Sequence, residues 1–415
     1  MKKCLTLLFI TLSSGNAFCQ QLLNIEQCEA LFLQNNLDLI ANKFSIENAK
    51  AFEIQSKIWD LPVASLDLNF INPQDKRVFD TGNRGQKGVA IEQLLYLGGK
   101  KKSEIDFAKS TISIAESEFE IILRNLKFEL HLNFYTLLFN QLKAKNIEAK
   151  INNLDQLIGA YKIQSQKGNV PLKDLVRLQS MSINFKSDLA SITSEILNQQ
   201  EILKILTNTD LSINPEADEE KMLDELEQKV MPSEEYLAKQ LLQNNPEFAM
   251  MNGIIKSNER FLDWQKKIDI PDLTAGLSYD QRGGAFGNQI NMNFSMPLKL
   301  WSSNKGNIKI AEYEIEKSRV EKEKTELVLT SKLSSAYSDL KNQLAYYKSS
   351  ISDKQDLELL YDGIFQNFQK SNISLIEFAD FMESYHESSL YLIEIKKRLI
   401  LSKETINYLV NDSIF

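Results

Sequence analysis

Few side chains in this chain could do chemistry. Its 415 residues hold two histidines, His131 and His386, and three cysteines, Cys4, Cys19 and Cys28. A zinc cluster needs several Cys or His ligands at close spacing, and a disulfide scaffold needs pairs of cysteines. Neither can be assembled here, and no nucleophile–base set is apparent, so the reading is of a protein that is not an enzyme and needs no cofactor or metal. Each histidine lies inside a long helical stretch, where it reads as a packed or solvated residue. The acids Glu377 and Asp380 stand three apart at the start of a predicted helix, on one face. There they complement the positive end of the helix dipole. The overall charge is 48 basic against 56 acidic residues, net −8, which gives no basic excess for nucleic acid.

The elements that carry these residues follow from where the turn formers fall. Gly and Pro number 15 and 8, well below average usage, so turns are few and elements long. Ten glycines lie in two windows, 82–99 and 276–306. The stretches 100–158, 172–214, 307–362 and 364–415 contain neither Gly nor Pro and read as long helices. Ile105, Ala108, Ile112, Ala115, Phe119, Ile122 and Leu126 step by three and four. Phe378, Phe381, Tyr385, Ser388, Leu392, Ile395, Leu399, Ser402, Ile406 and Leu409 hold a seven-residue period, which predicts a coiled-coil seam.

The first twenty residues read as an export signal: Lys2 and Lys3, a nine-residue apolar run at 4–12, and Ala17 and Cys19 ahead of a cleavage point before Gln20. Lipidation of Cys19 is the alternative. No later apolar run suffices for a spanning helix of about 20 residues, so any insertion into a membrane falls to β-strands.

The chain also repeats itself. Leu-Gln-Asn-Asn at 33–36 recurs at 242–245, and Asp60-Leu-Pro62 recurs as Asp269-Ile-Pro271, both 209 residues on. The run at 166–172 recurs at 369–375, and Leu206-Thr-Asn208 as Leu409-Val-Asn411, both 203 residues on. Each half reads helix, Pro, two strands, very long helix, short break, helix. Apolar residues alternate with polar ones after Pro62 (Ala64, Leu66, Leu68, Phe70), after Pro271 (Leu273, Ala275, Leu277, Tyr279) and at Ile290, Met292, Phe294 and Met296. A weaker run holds Val89 and Ile91. Such alternation suits a half-buried soluble strand or a lipid-facing barrel strand. The export signal and the lack of other strands to pack on favour the barrel. Four strands cannot close one, since about eight is the minimum, so several chains would share it.

These landmarks, with Leu95-Tyr-Leu-Gly-Gly-Lys100 and the breaks Lys167-Gly-Asn-Val-Pro-Leu-Lys-Asp-Leu175 and Lys370-Ser-Asn-Ile-Ser-Leu-Ile-Glu-Phe378, closely resemble the TolC-like outer-membrane efflux family across the mature chain. The resemblance implies a mainly α fold with a small β part. A homotrimer would build a twelve-stranded barrel continuous with a periplasmic α-helical barrel. It implies these segments: 1–19 signal peptide; 20–62 first helices of repeat 1; 63–97 its outer-membrane hairpin; 98–208 its long helical hairpin; 209–231 an equatorial connection; 232–271, 272–300 and 301–415 the corresponding parts of repeat 2. It further implies a periplasmic adaptor, an inner-membrane pump and outer-membrane lipid as partners, in efflux or type I secretion. Gly168, Asn169, Val170, Ser371, Asn372 and Ile373 take the tip positions that meet the adaptor. Glu377, Asp380 and Asp174 take positions near the pore constriction, where rings of carboxylates would attract cations. Ile373 and Phe368 stand where some relatives lock the tip with an Arg and a Tyr, so a closed tip here would rest on packing or other contacts. A periplasmic or surface coiled-coil scaffold without a pore is the alternative.

Overall fold

The computed structural model describes residues 20–72, 76–83, 85–210, 212–283, 285–300, 303–370 and 372–415, including all of their side chains except those of 20, 21, 72 and 351–358. The expected signal peptide with Cys19, and Ser371, lie outside the described residues.

The chain runs β1 (Gln20–Leu23), α1 (Ile25–Asn35), α2 (Leu37–Lys57), β2 (Val63–Leu68), β3 (Ile71–Asn72), β4 (Arg77–Val78), β5 (Gln86–Leu95), α3 (Lys100–Gln166) and α4 (Leu172–Thr207). It continues with β6 (Ser212–Pro215), α5 (Glu219–Gln228), α6 (Glu234–Asn244), α7 (Pro246–Ile268), β7 (Leu273–Arg282), β8 (Phe286–Ser295), α8 (Lys305–Gln369) and α9 (Leu375–Val410). The two long helices have 67 and 65 residues, so each extends for roughly 100 Å. Helix α3 starts just after Gly99, and α8 starts at Lys305, beside Gly306, the last glycine of the second window.

The recurring sequence landmarks meet one another in space. Asn36 caps α2 and Asn245 caps α7. The Asn36 side-chain amide donates to the Leu206 carbonyl at 2.8 Å, and that of Asn245 to the Leu409 carbonyl at 2.9 Å. Just beyond each of these carbonyls, Asn208 and Asn411 close α4 and α9 in the left-handed conformation, at φ of 46° and 56°, which Asn tolerates better than most residues. The same bond therefore ties short helix to returning helix in both halves.

Two cores lie along the helical body. An equatorial core joins α1, α3, α4, α6, α8 and α9 with β6 and α5, around Phe32, Phe134, Phe139, Ile213, Leu223 and Ile406. Here β1 pairs in parallel with β6, and Gln141 of α3 donates to Asn214 at 3.0 Å. That is 41 residues into α3, roughly 60 Å from its start. A second core joins the far ends of the hairpins around Ile147, Leu154, Leu178, Phe185, Phe368, Phe378 and Met382.

The seam expected on α9 holds from Ile395 to Leu409, where Ile395, Leu399, Ser402, Ile406 and Leu409 are buried. Nearer the tip the buried residues are Phe378, Ala379, Met382 and His386, while Phe381, Tyr385 and Ser388 are only half-buried. This difference arises because α9 packs against α3 and α4 as well as α8, and one stripe cannot face all three.

Candidate functional site

The two hairpins merge into one four-stranded antiparallel sheet, in the order β2-β5-β7-β8. Its register aligns side-chain types across all four strands. Leu66, Val89, Tyr279 and Ile290 form one row, and Ala64, Ile91, Leu277 and Met292 the next on the same face. On the other face run Asp67, Gly88, Asp280 and Gln289, then Ser65, Ala90, Ser278 and Asn291, then Val63, Glu92, Gly276 and Asn293. A Cβ on Gly276 would come within 2.7 Å of the Glu92 side chain and 2.8 Å of the Ile91 carbonyl, so glycine there permits the close approach of β5. In the two apolar rows Leu66, Val89, Ile91, Leu277, Ile290 and Met292 are 51–80% exposed. Single exposed apolar residues are common, but a contiguous sheet face of them is not. Among the described residues, the outer edges of β2 and β8 pair with no strand.

At the junction of sheet and helices the repeated acids act as anchors. Asp60 accepts from the Tyr96 hydroxyl at 2.8 Å. Asp269 pairs with Lys299 and accepts from the Asn304 backbone N–H at 2.8 Å. Lys100 pairs with Asp272 at 2.6 Å. Trp59 and Tyr96 lie 5.6 Å apart, and Phe107 stacks on Trp264 at 5.6 Å. An aromatic and lysine collar of this composition suits a membrane–water interface.

The opposite end is the break between long and returning helices. Gly168 has φ +77°; its N–H donates to the Ser165 carbonyl at 3.0 Å and that of Asn169 to Gln164 at 3.0 Å. This pattern closes a helix over a left-handed residue, which favours Gly. In the other half Asn372 donates to the Asn367 carbonyl at 2.9 Å. Gly168, Asn169 and Asn372 are exposed, and Val170 and Ile373 half-buried.

The three expected acids have different surroundings. Glu377 turns back to cap its own helix: its carboxylate accepts from the Ser374 N–H and hydroxyl, both at 2.8 Å, while its N–H donates to the Ser374 oxygen at 3.3 Å. Those bonds to Ser374 hold its pKa below the usual range. Asp380 instead reaches across to the other half and pairs with Arg177 of α4 at 3.0 Å. Asp174 lies in the first turn of α4, and its charge adds to burial in raising the pKa of the Tyr161 phenol. Phe368 stacks on Phe378 at 4.0 Å and on Tyr161 at 5.8 Å. At this end ring packing and the Arg177–Asp380 pair join the two halves of the chain.

Several charged contacts lie beyond what the sequence pattern predicts. His131 is bracketed by Glu404 at 2.8 Å and Glu29 at 2.6 Å, and Lys150 is buried between α3 and α9. One signal for Lys150 is present in the sequence: it adjoins the apolar steps Ile147, Ile151, Leu154 and Leu157, where a charge is out of place. Among the described residues no His/Cys/Asp/Glu group is arranged to hold a metal ion, and no helix is long and apolar enough to cross a membrane.

Comparison with known proteins agrees with this geometry. Residues 237–349 match the family described as outer membrane efflux protein. The chain is 21% identical over 329 residues to the cobalt-zinc-cadmium resistance protein CzcC of Cupriavidus metallidurans, covering 79% of this chain and 74% of that one. Its fold is similar to the crystal structure of CusC, with a TM-score of 0.76 at 14% identity over 96% of this chain and 95% of that one. It is also similar to the Campylobacter jejuni CmeC outer membrane channel, with a TM-score of 0.74 at 16% identity over 94% of this chain and 86% of that one. The chain therefore resembles the outer-membrane efflux family, whose fold is that of channel proteins rather than of enzymes.

Proposed function

We propose that this chain is one subunit of a homotrimeric exit duct in the outer membrane, passive in itself and driven by an inner-membrane pump through a periplasmic adaptor. The observation that carries this reading is the sheet. Its apolar rows are continuous across four strands, its polar rows face the other way, and both of its edges lack a partner among the described residues. An open edge in lipid leaves backbone N–H and C=O groups unsatisfied at several kcal/mol each. Three copies joined edge to edge would satisfy them in a twelve-stranded wall, apolar outside and polar inside. The collar of Trp59, Tyr96 and Lys100 would then sit at the inner interface, and α3 and α8 would carry the duct roughly 100 Å into the periplasm.

Gly168, Asn169, Val170, Ser371, Asn372 and Ile373 would face the adaptor. Of the acids, Asp174 and Asp380, the latter paired with Arg177, would act on passing cations, whereas Glu377 is engaged by its cap. The relative CzcC, a cobalt-zinc-cadmium resistance protein, makes those metal ions the first cargo to test.

Purified protein in detergent should be a trimer, and in planar bilayers it should conduct ions with a preference for cations. Asp380→Asn with Asp174→Asn should shift the reversal potential in a salt gradient toward zero selectivity, and Glu377→Gln should shift it less. A monomer recovered from salt-washed periplasm without conductance would favour the scaffold reading instead.

A further inference from the structure

Between the equator and the tip, α9 of the second half crosses α3 of the first. Two basic side chains lie in that crossing with little to balance them. Lys150 is 3% exposed. Its Nζ donates to the Ser389 hydroxyl and lies 4.6 Å from the centre of the Tyr385 ring. No carboxylate among the described residues pairs with it, and a lysine so buried is almost always paired. Ser389 hydrogen-bonds Asn146 of α3 at 3.2 Å and the His386 carbonyl at 2.8 Å. The ring of His386 stacks on Phe185 at 4.1 Å. Its Nε2 meets Asp188 at 3.0 Å, while its Nδ1 is buried without a hydrogen-bond partner.

The charged groups around this cluster come from every element packed there. Helix α4 contributes Asp188, half open to water, and Lys186, which pairs with Asp155 of α3 at 3.0 Å. Helix α9 adds Glu387, which acts weakly on His386. Tyr361 of α8 stacks on Tyr385 at 4.5 Å. Glu219 and Glu220 of α5 line an adjoining cleft with Lys145 and Lys396. None of these places a carboxylate on Lys150.

The geometry points to a proton-operated latch: the cluster of Lys150, Ser389 and His386 holds α9 against α3 while its bases are neutral, and proton uptake by Lys150 and His386 loosens the crossing. Burial pushes Lys150 down to about 7 from 10.5 and, with the charge of Lys150, lowers His386 below 6.5 despite Asp188. Both groups bind a proton more readily once the crossing opens to water. The closed crossing is therefore favoured most in alkali. It weakens as pH falls toward about 7 through Lys150, and again below 6.5 through His386. This latch belongs to the helical crossing and holds whether or not the chain forms a duct.

Amide hydrogen exchange of the full-length protein in detergent tests it, on peptides covering 378–392, with intrinsic exchange rates corrected for pH. From pH 8.5 to 6.5 the wild-type protein should lose at least about tenfold of its protection, one proton being worth up to tenfold per pH unit. Lys150→Met, permanently neutral and of similar length, should stay protected across that range. Lys150→Arg, permanently charged, should be poorly protected throughout. His386→Phe should keep the slope above pH 6.5 and flatten the one below it. A wild-type protein with no pH dependence, or Lys150→Met with the wild-type slope, overturns the latch. Should Lys150→Arg fail to fold, Lys150→Met alone decides the matter.

Discussion

His131 and His386 are the only histidines in the chain, and both sit inside long helices, yet their surroundings drive them in opposite directions. At the equator His131 lies between Glu29 and Glu404, which are backed by Lys127 and Lys403. Burial alone would depress its pKa, but the hydrogen bonds to the two carboxylates outweigh it and the pKa is raised. In the crossing near the tip, burial and the charge of Lys150 prevail over the single, half-exposed Asp188 and the His386 pKa is lowered. Burial by itself does not set the charge of a helical histidine. The charged groups that reach it do.

The most severe way to break the comparison is to remove the equatorial cation. In His131→Phe, Glu29 and the buried Glu404 would face each other without the group between them. A loss of about 3 kcal/mol is expected in urea unfolding at pH 6; a change under about 1 kcal/mol would mean that Lys127 and Lys403 suffice.

The comparison sharpens in a proton NMR titration of the two imidazoles, which no third histidine obscures once any purification tag is removed. One resonance should titrate above 6.5 and one below, and His386→Phe should remove the lower. The signs for stability follow. The stabilising contribution of His131 is full below 6.5 and is lost as pH rises through its raised folded pKa. That of His386 is full above 6.5 and is lost as pH falls through its lowered one. The equator therefore gains from mild acid while the crossing loses, and a folded pKa lying one pH unit away from 6.5 corresponds to about 1.4 kcal/mol. Both resonances at the same pH would erase the contrast.

The smallest effect belongs to the exposed pair at the tip. Arg177→Ala should cost at most ~0.5 kcal/mol of global stability, because both partners remain in contact with water. Any larger consequence should appear in conductance, as a looser resting tip.

Much of the fold was legible because it is written in local terms. Gly98 and Gly99 precede α3, Pro171 and Ser374 precede the returning helices, and alternation placed Leu66, Leu277 and Ile290 on one face of the sheet. Even the Glu377 cap was latent in the Ser-x-x-Glu spacing at 374–377. The candidate site was legible only in outline. The partner of Asp380 is 203 residues away, and that of Lys150 is 239. No periodicity along the chain connects positions so far apart.

The sequence by itself determined that long helices flank short strands and that the same landmarks recur in the same order, since capping, chain stiffness and the alternation of side chains act over a few residues. It did not mark β1 or β6, and it ran the helix of α4 on through 208–214. The tertiary structure alone decided that the two hairpins merge into one sheet, that α9 needs more than one buried stripe, and which charges meet across the halves. Those outcomes depend on which surfaces come together in space, and a buried lysine or histidine takes its proton affinity from neighbours that only folding supplies.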